Sequence, residues 1–570
     1  MNNETILLLE KYFDVAFAAP DGVKKLRELI LSLAMQGKLV PQDPSDQSAR
    51  ELLKEIEAEK SRLVKDGKIK ASKPLPEIKP DEVPYDLPKS WEWVRLGSYC
   101  YIFSGNAFKS EDFNSIDGIK AIKITNAGVG ELIQTSDFLP ARFAMEYCDY
   151  QVRENDLILA LTRPYISSGL KISICPLSYH GALLNQRVAS IRPFQFFNFI
   201  FFFLSSPHVL SIYQKRFGDS GLQPNLKMSD ITELLVPIPP LAEQRRIVAK
   251  IDELMARCDE LEKLRQVHAQ KQITVHTAAL NQLLTAKDHN DFKTSWHFIT
   301  QHFGELYSVK ANVTELRKAI LQLAVMGKLV PQDPNDQPAS ELLNAIALEK
   351  KNLINEKKIK QPKPLLEINP DELPYELPKS WQWSNIQSIS LKVTDGEHIT
   401  PQRTASGYYL LSARNITNEG IKLNDVDYVP HQEYERIRKR CDPEIGDILV
   451  SCSGSVGRIA IVDANDYVMV RSVALIKYEH NLLKPSFFAN AMKSPIVQSQ
   501  IVDKSRTTAQ SNLFLGKINE ILIPVPPLAE QHRIVAKIDQ LMTLCDELEK
   551  QIDIANSKKT NLLNSVMTKV

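Results

Sequence analysis

A chain of 570 residues exceeds what one hydrophobic core usually organises, so about two to four domains are expected. Lysine and arginine total 70 against 69 acidic residues, a net charge of +1, so overall charge neither announces nor excludes a polyanionic partner. The seven cysteines, at 100, 148, 175, 258, 441, 452 and 545, form no CxxC pair and have no histidine at ligand spacing, which argues against zinc and a disulfide framework and fits a reducing cytoplasm.

In chain order, residues 1–20 hold an apolar patch without a basic start or a long apolar core, so no secretory signal is expected. Residues 26–93 then return without a gap at 316–383, an offset of 290, with about 43 of 68 positions identical. Each copy opens with a helix, 26–35 and 316–326, stopped by Gly37 and Gly327. KLVPQDP turns the chain into a charged helix at about 49–64 and 339–355. Prolines crowd 73–88 and 363–378, which reads as an extended strap or linker.

The two stretches that follow, 92–232 and 382–519, agree poorly in side chains but share a pattern. Residues 155–174 and 446–462 each read as a β-rich run, a polar turn and a second β-rich run; the GSVG at 454–457 fits a hairpin turn. The apolar run 194–204 is about half of what a bilayer requires, so a buried helix or strand is expected. Both stretches close on polar loops, GLQPNL and AQSNLF, where Gln223 and Asn225 correspond to Gln510 and Asn512 at an offset of 287.

A second repeat follows, 233–263 and 520–550, with about 24 of 31 positions identical. Pro239 and Pro240, like Pro526 and Pro527, stand at a helix start, where a missing N–H matters little. The seam Ile534, Ile538, Leu541, Cys545, Leu548, Ile552 steps by fours and threes, and Ile247, Ile251, Leu254, Cys258, Leu261 match it. That is coiled-coil spacing, and two long helices with matching seams are expected to bury them against each other. The overall expectation is a mixed α/β chain, α+β in its segregation, with two α/β domains in one duplicated frame.

No phosphate loop, dinucleotide fingerprint, HExxH or nucleophile elbow occurs, and no His, Asp and Ser grouping repeats. The paired carboxylates Asp252 and Glu253 fit a solvated helix face. What stands out is a run of hydrogen-bonding side chains in the variable loops: Thr162, Arg163, Tyr165, Ser167, Ser168, Lys171, Gln223 and Asn225, then Ser451, Ser453, Ser455, Arg458, Gln510 and Asn512. Arg, Lys, Gln and Asn read base edges, while Ser, Thr and Tyr reach phosphate and sugar. The competing reading is that these are ordinary solvent-exposed polar side chains.

The PIPPLAEQRRIVAKID and PVPPLAEQHRIVAKID blocks, the GKLVPQD helices, the GDILVSCSGSVG run and the QxNL loops together resemble the specificity subunit of type I restriction-modification systems, in one of its longer subfamilies. The resemblance spans nearly the whole chain. It implies a DNA-binding, non-catalytic subunit with an internal pseudo-twofold repeat, ordered as a conserved region (1–90), a first target-recognition domain (91–240), a central conserved region (241–380), a second recognition domain (381–527) and a conserved helix (528–570). Long antiparallel coiled-coil helices would set the spacing of a bipartite double-stranded DNA target, with Ile247, Ile251, Leu254, Leu261, Ile534, Ile538, Leu541 and Leu548 serving helix pairing or partner binding. Two methyltransferase subunits would methylate adenine N6, and restriction and translocation subunits would complete the complex in the cytoplasm. S-adenosylmethionine, ATP and Mg would sit on those partners and no cofactor on this chain; no membrane association is implied. A duplicated protein-binding scaffold is the rival reading, distinguished by salt-dependent DNA affinity. An enzyme with an unrecognised site ranks last, and S-adenosylmethionine binding by the isolated chain would favour it.

Overall fold

The computed structural model describes residues 14, 17–217, 223–505 and 511–567. The chain divides into two units, one formed by Met1–Gln266 with Ala555–Val570 and the other by Val267–Ile554. Most of the sequence segment read for a secretory signal, and Gln510, lie outside the described residues. Among the described residues no helix is long and apolar enough to cross a membrane.

In the first unit the opening helix Gly22–Met35 buries Val23, Leu29, Ile30, Leu31, Ala34 and Met35. It stops at Gly37, whose φ of +67° a side chain rarely adopts and where an added Cβ would lie 2.5 Å from the Pro88 ring. The second unit repeats this with the helix Lys310–Val325 and Gly327, also at +67° and 2.5 Å from Pro378. The proline-dense segment is therefore an ordered strap laid across the helix end. Tyr85 Oη donates to the Met35 carbonyl at 2.9 Å, and Tyr375 Oη to that of Val325 at 2.8 Å. The charged helices are Ala49–Lys65 and Ala339–Asn355.

The long helices are Leu241–Thr285 and Leu528–Met567. Their seams are apolar as expected, but the opening helix of the same repeat occupies them. Ile247, Ile251 and Cys258 are buried in one cluster with Val23, Ile30 and Ala34, and Leu254 and Leu261 pack against it. In the second unit Ile534, Ile538, Cys545 and Ile552 join Val313, Ile320 and Ala324, with Leu541 and Leu548 alongside. Ion pairs fix the sense: Lys310 meets Asp553 at 2.7 Å while Arg317 meets Asp546 at 2.7 Å, so rising numbers on one helix face falling numbers on the other. In the first unit Arg27 reaches Asp259 at 2.6 Å, and Arg265 reaches the carbonyls of Phe17 and Ala19. Matching heptad seams thus find antiparallel partners within their own repeat.

The far ends of the long helices dock differently in the two units. Leu563 packs with Phe17, Ala19 and Leu29 in the first. In the second the corresponding residue is His276, fully buried, whose Nε2 lies 3.0 Å from Tyr307 Oη. One apolar and one polar pair therefore fill the same place in the duplicated frame.

Each variable stretch folds around a mostly antiparallel sheet. In the first the strand order is Cys100–Ser104, Val188–Pro193, Leu157–Ala160, Ile172–Ile174, Gly130–Glu131. In the second it is Lys392–Asp395, Val473–Lys477, Ile448–Ser451, Ile459–Ile461. The apolar run becomes the helix Phe197–Leu204, burying Phe199, Ile200, Phe203 and Leu204. Pro485–Lys493 takes the corresponding place in the second stretch. Cys258 and Cys545 are buried, as their place in an apolar seam suggested.

Candidate nucleic-acid interface

Both variable domains are closed by the same two-stranded antiparallel ribbon, so entry and exit of each domain lie side by side. Glu92–Arg95 pairs with Leu235–Ile238, and Gln382–Asn385 pairs with Leu522–Val525. Beneath the ribbon sits the reason for the repeated AEQ. The Glu243 carboxylate, 1% exposed, accepts from the Trp91 indole N–H at 3.0 Å and from the Gln42 amide at 2.6 Å. Glu530 does the same with Trp381 at 2.9 Å and Gln332 at 2.5 Å. Burial raises both carboxyls above the usual range, opposed by these hydrogen bonds. The neighbouring Gln244 and Gln531 each donate to a proline carbonyl, Pro239 and Pro526, at 3.0 Å. The Arg246–Asp46 and Arg533–Asp336 ion pairs complete the repeated base. These groups are spent on structure.

At the opposite ends of the strands the polar turns gather. In the first domain Ser104 stands opposite Ala189 and Ala160 opposite Val188, so three strands start or stop at one edge. Thr162 forms a bridge with Asn225, and Leu226 N donates to the Leu161 carbonyl at 2.8 Å. Leu161 N donates to Arg187 O at 2.9 Å and Gln186 N to Asn106 O at 2.9 Å. The second domain repeats every link: Ser453 bridges Asn512, Leu513 N donates to Cys452 O at 2.9 Å, Cys452 N to Ser472 O at 2.8 Å, and Arg471 N to Glu397 O at 3.0 Å. One backbone frame therefore carries Arg163, Gln186, Arg187 and Asn106 in one domain, and Gly454, Arg471, Ser472 and Glu397 in the other. Arg163 takes φ +49° where Gly454 takes +70°, an uncommon conformation for a non-glycine residue.

The sequence-predicted residues are brought together from two distant segments in each domain. Arg163, Ser167, Ser168, Gln223, Asn225 and Ser455 are exposed, and Thr162, Lys171, Ser453, Arg458 and Asn512 are half-buried. Two expectations change. Ser451 is fully buried; its hydroxyl donates to Ser455 O at 2.5 Å and accepts from Arg458 N at 2.9 Å, so it closes the turn and offers nothing outward. Tyr165 turns its ring against the first unit's apolar cluster.

Sequence reading missed Asn106, Gln186, Arg187, Glu397 and Arg471. For Gln186, Arg187 and Arg471 the signal is a polar insertion between two apolar runs, NQR between LL and VASI and RS between VMV and VALI; Asn106 and Glu397 each follow a glycine at a strand end. The second domain also carries an ion-pair lattice at this edge. Arg440 donates to Asp395 Oδ1 at 2.7 Å, His398 Nε2 lies 2.8 Å from Asp395 Oδ2, and Arg436 donates to Glu397 at 2.8 Å. Burial would raise both carboxyls, but for Asp395 the Arg440 and His398 hydrogen bonds prevail. For Glu397 the Ile399 and His398 backbone N–H groups and Arg436 prevail, and both stay below the usual carboxylate range. Among the described residues no group of three or more His, Cys, Asp or Glu is placed to hold a metal.

The family model described as a type I restriction modification DNA specificity domain matches residues 88–270 and 378–555. Three relatives, all from Escherichia coli, cover most of the chain. The EcoAI type I restriction enzyme specificity subunit is 34% identical over 559 residues, 96% of this chain and 93% of its own. The EcoEI specificity subunit is 31% identical over 563 residues, with the same two shares. The EcoBI specificity subunit is 25% identical over 486 residues, 84% of this chain and 85% of its own. The two matched segments make up more than half of the chain and hold the two framed edges, and the chain belongs to the type I restriction modification DNA specificity family.

Proposed function

We propose that each framed edge reads one half of a bipartite double-stranded DNA target, with its bases recognised by different side chains held in the same backbone geometry. The carrying observation is the pair of equivalent bridges, Thr162 with Asn225 and Ser453 with Asn512. They join the two polar loops of each domain at the strand edge, and the side chains around them differ. A frame that is copied while its outward residues change is what modular readout requires, because base identity is carried by side-chain donors and acceptors.

In this reading 91–240 and 381–527 are the recognition domains, and 1–90, 241–380 and 528–570 are constant regions related by a pseudo-twofold. The long helices, whose seams are covered by the opening helix of their own repeat, act as the ruler between half-sites. Forty-five residues at about 1.5 Å each give roughly 65–70 Å, close to two turns of duplex at about 34 Å per turn. Two methyltransferase subunits bind the constant helices and methylate adenine at N6, and restriction and translocation subunits join them in the cytoplasm. S-adenosylmethionine, ATP and Mg belong to those partners, since this chain supplies specificity and no catalysis.

The test is exchange of 92–232 for the first recognition domain of another family member, followed by methylome sequencing with the methyltransferase partner. One half-site changes and the other persists. A change in both halves, or in neither, refutes the modular reading.

A further inference from the structure

Beside Arg163 the chain makes a small hairpin, Tyr165–Ile166 paired with Gly169–Leu170. Alternation sends Tyr165 inward and Ile166 outward. The cross-strand partner of Ile166 is Gly169, which has no side chain to cover it, and Ile166 stays 51% exposed. Gly169 has φ +141°, and a Cβ added there would lie 3.4 Å from Val129 Cγ1. Val129, in the turn before the edge strand Gly130–Glu131, is 40% exposed. A bare glycine thus leaves room for two aliphatic side chains to present methyl groups next to the Arg163 turn. The second domain's turn runs through Gly454 and Ser455, and Val456 there packs against the second unit's core.

We infer that Ile166, with Val129 beside it, is a thymine-methyl contact that reads an A·T pair in the first half-site. The inference rests on the reading that this edge faces DNA. In the major groove thymine alone presents a methyl group, and an aliphatic side chain is the partner that distinguishes it from cytosine. Leaving an isoleucine at a strand tip surrounded by polar turns is unfavourable in water, and a base methyl removes that surface from solvent.

The experiment uses the full chain assembled with its methyltransferase. The target is first defined by methylome sequencing, and each thymidine of the first half-site is then replaced singly by deoxyuridine, which keeps pairing and lacks only the methyl. One replacement weakens binding about fourfold, the value for one methyl group of buried apolar surface. Ile166→Ala binds the unmodified duplex about as weakly and is indifferent to that replacement. Val129→Ala gives a partial version of the same pattern, and replacements in the second half-site show no coupling to either variant.

The inference is overturned if no replacement in the first half-site weakens binding, or if wild type and Ile166→Ala lose equally. It is also overturned if Ile166→Ala folds but fails to assemble with the methyltransferase, which assigns the surface to a protein contact. Failure of the underlying reading shows separately, as a domain exchange that leaves both half-sites unaltered.

Discussion

Glu243 offers a direct measure of how the constant blocks hold a recognition domain in place. Glu243→Ala removes the acceptor for the Trp91 indole N–H and for the Gln42 amide. Trp91 is 4% exposed, so its N–H is stranded without water, which costs about 1–3 kcal/mol; Gln42 is exposed and regains water, losing about 0.5–1 kcal/mol. Relief of a buried carboxylate offsets part of this, leaving a net destabilisation of about 2 kcal/mol. Glu243→Gln keeps an oxygen toward Trp91 but turns an amide toward that of Gln42, whose own oxygen accepts from Ser90 at 3.1 Å. It should stay within about 1 kcal/mol of wild type. Hydrogen exchange read by mass spectrometry resolves the two ribbons. Glu243→Ala speeds exchange about 30-fold, for ~2 kcal/mol, in the ribbon 92–95 with 235–238, and leaves 382–385 with 522–525 unchanged. Unchanged protection in the first ribbon, or equal loss in both, would refute the claim that Glu243 locks the domain base.

Arg163→Gly relieves a positive-φ arginine and should stabilise the chain by about 0.5–1 kcal/mol in urea unfolding, while Arg163→Ala does not. Both variants should weaken binding, and a loss confined to one base pair of the first half-site, about 1–3 kcal/mol, identifies a base contact. A Gly variant with neither gain in stability nor loss in binding contradicts the placement. Ser451→Ala removes the two hydroxyl hydrogen bonds that close the second domain's turn. It should degrade discrimination at the second half-site without affecting the first, as read by methylation of single-mismatch duplexes.

His276 is held below its ordinary pKa by burial, only partly opposed by Glu315, so the folded state keeps it neutral beside Tyr307. Below the unfolded value of about 6.5 the unfolded chain binds a proton that the folded chain does not. Stability of the second unit should therefore fall as pH drops below about 6.5, by up to about 1.4 kcal/mol per pH unit more than in His276→Gln. Parallel pH profiles for the two proteins would exclude His276 as the source.

Much of the fold was legible in the chain because the constant blocks occur twice. Helix stops at Gly37 and Gly327 and the strand, turn and strand of 446–462 follow from local steric and periodic rules that need no distant partner, whereas 194–204 was legible only as a buried apolar element, helix or strand. The candidate site was legible in part. Arg163 and Asn225 were chosen for chemistry and are indeed joined at one edge, whereas Arg187 and Arg471 were overlooked because two or three polar residues between two strands are a weak signal. Ser451 shows the converse error, since a hydroxyl in a turn points toward solvent or closes the turn with equal local plausibility.

What the sequence determined by itself is the duplication, the helix and strand periodicities and the family, all of which are carried by residue order and spacing. Tertiary structure alone decided that the heptad seams are filled by the opening helix of the same repeat and that Glu243 and Glu530 are buried acceptors. It also decided which polar turn residues face outward. Those outcomes depend on which surfaces, far apart in the chain, exclude water together, and an apolar stripe specifies that it must be covered without specifying by what.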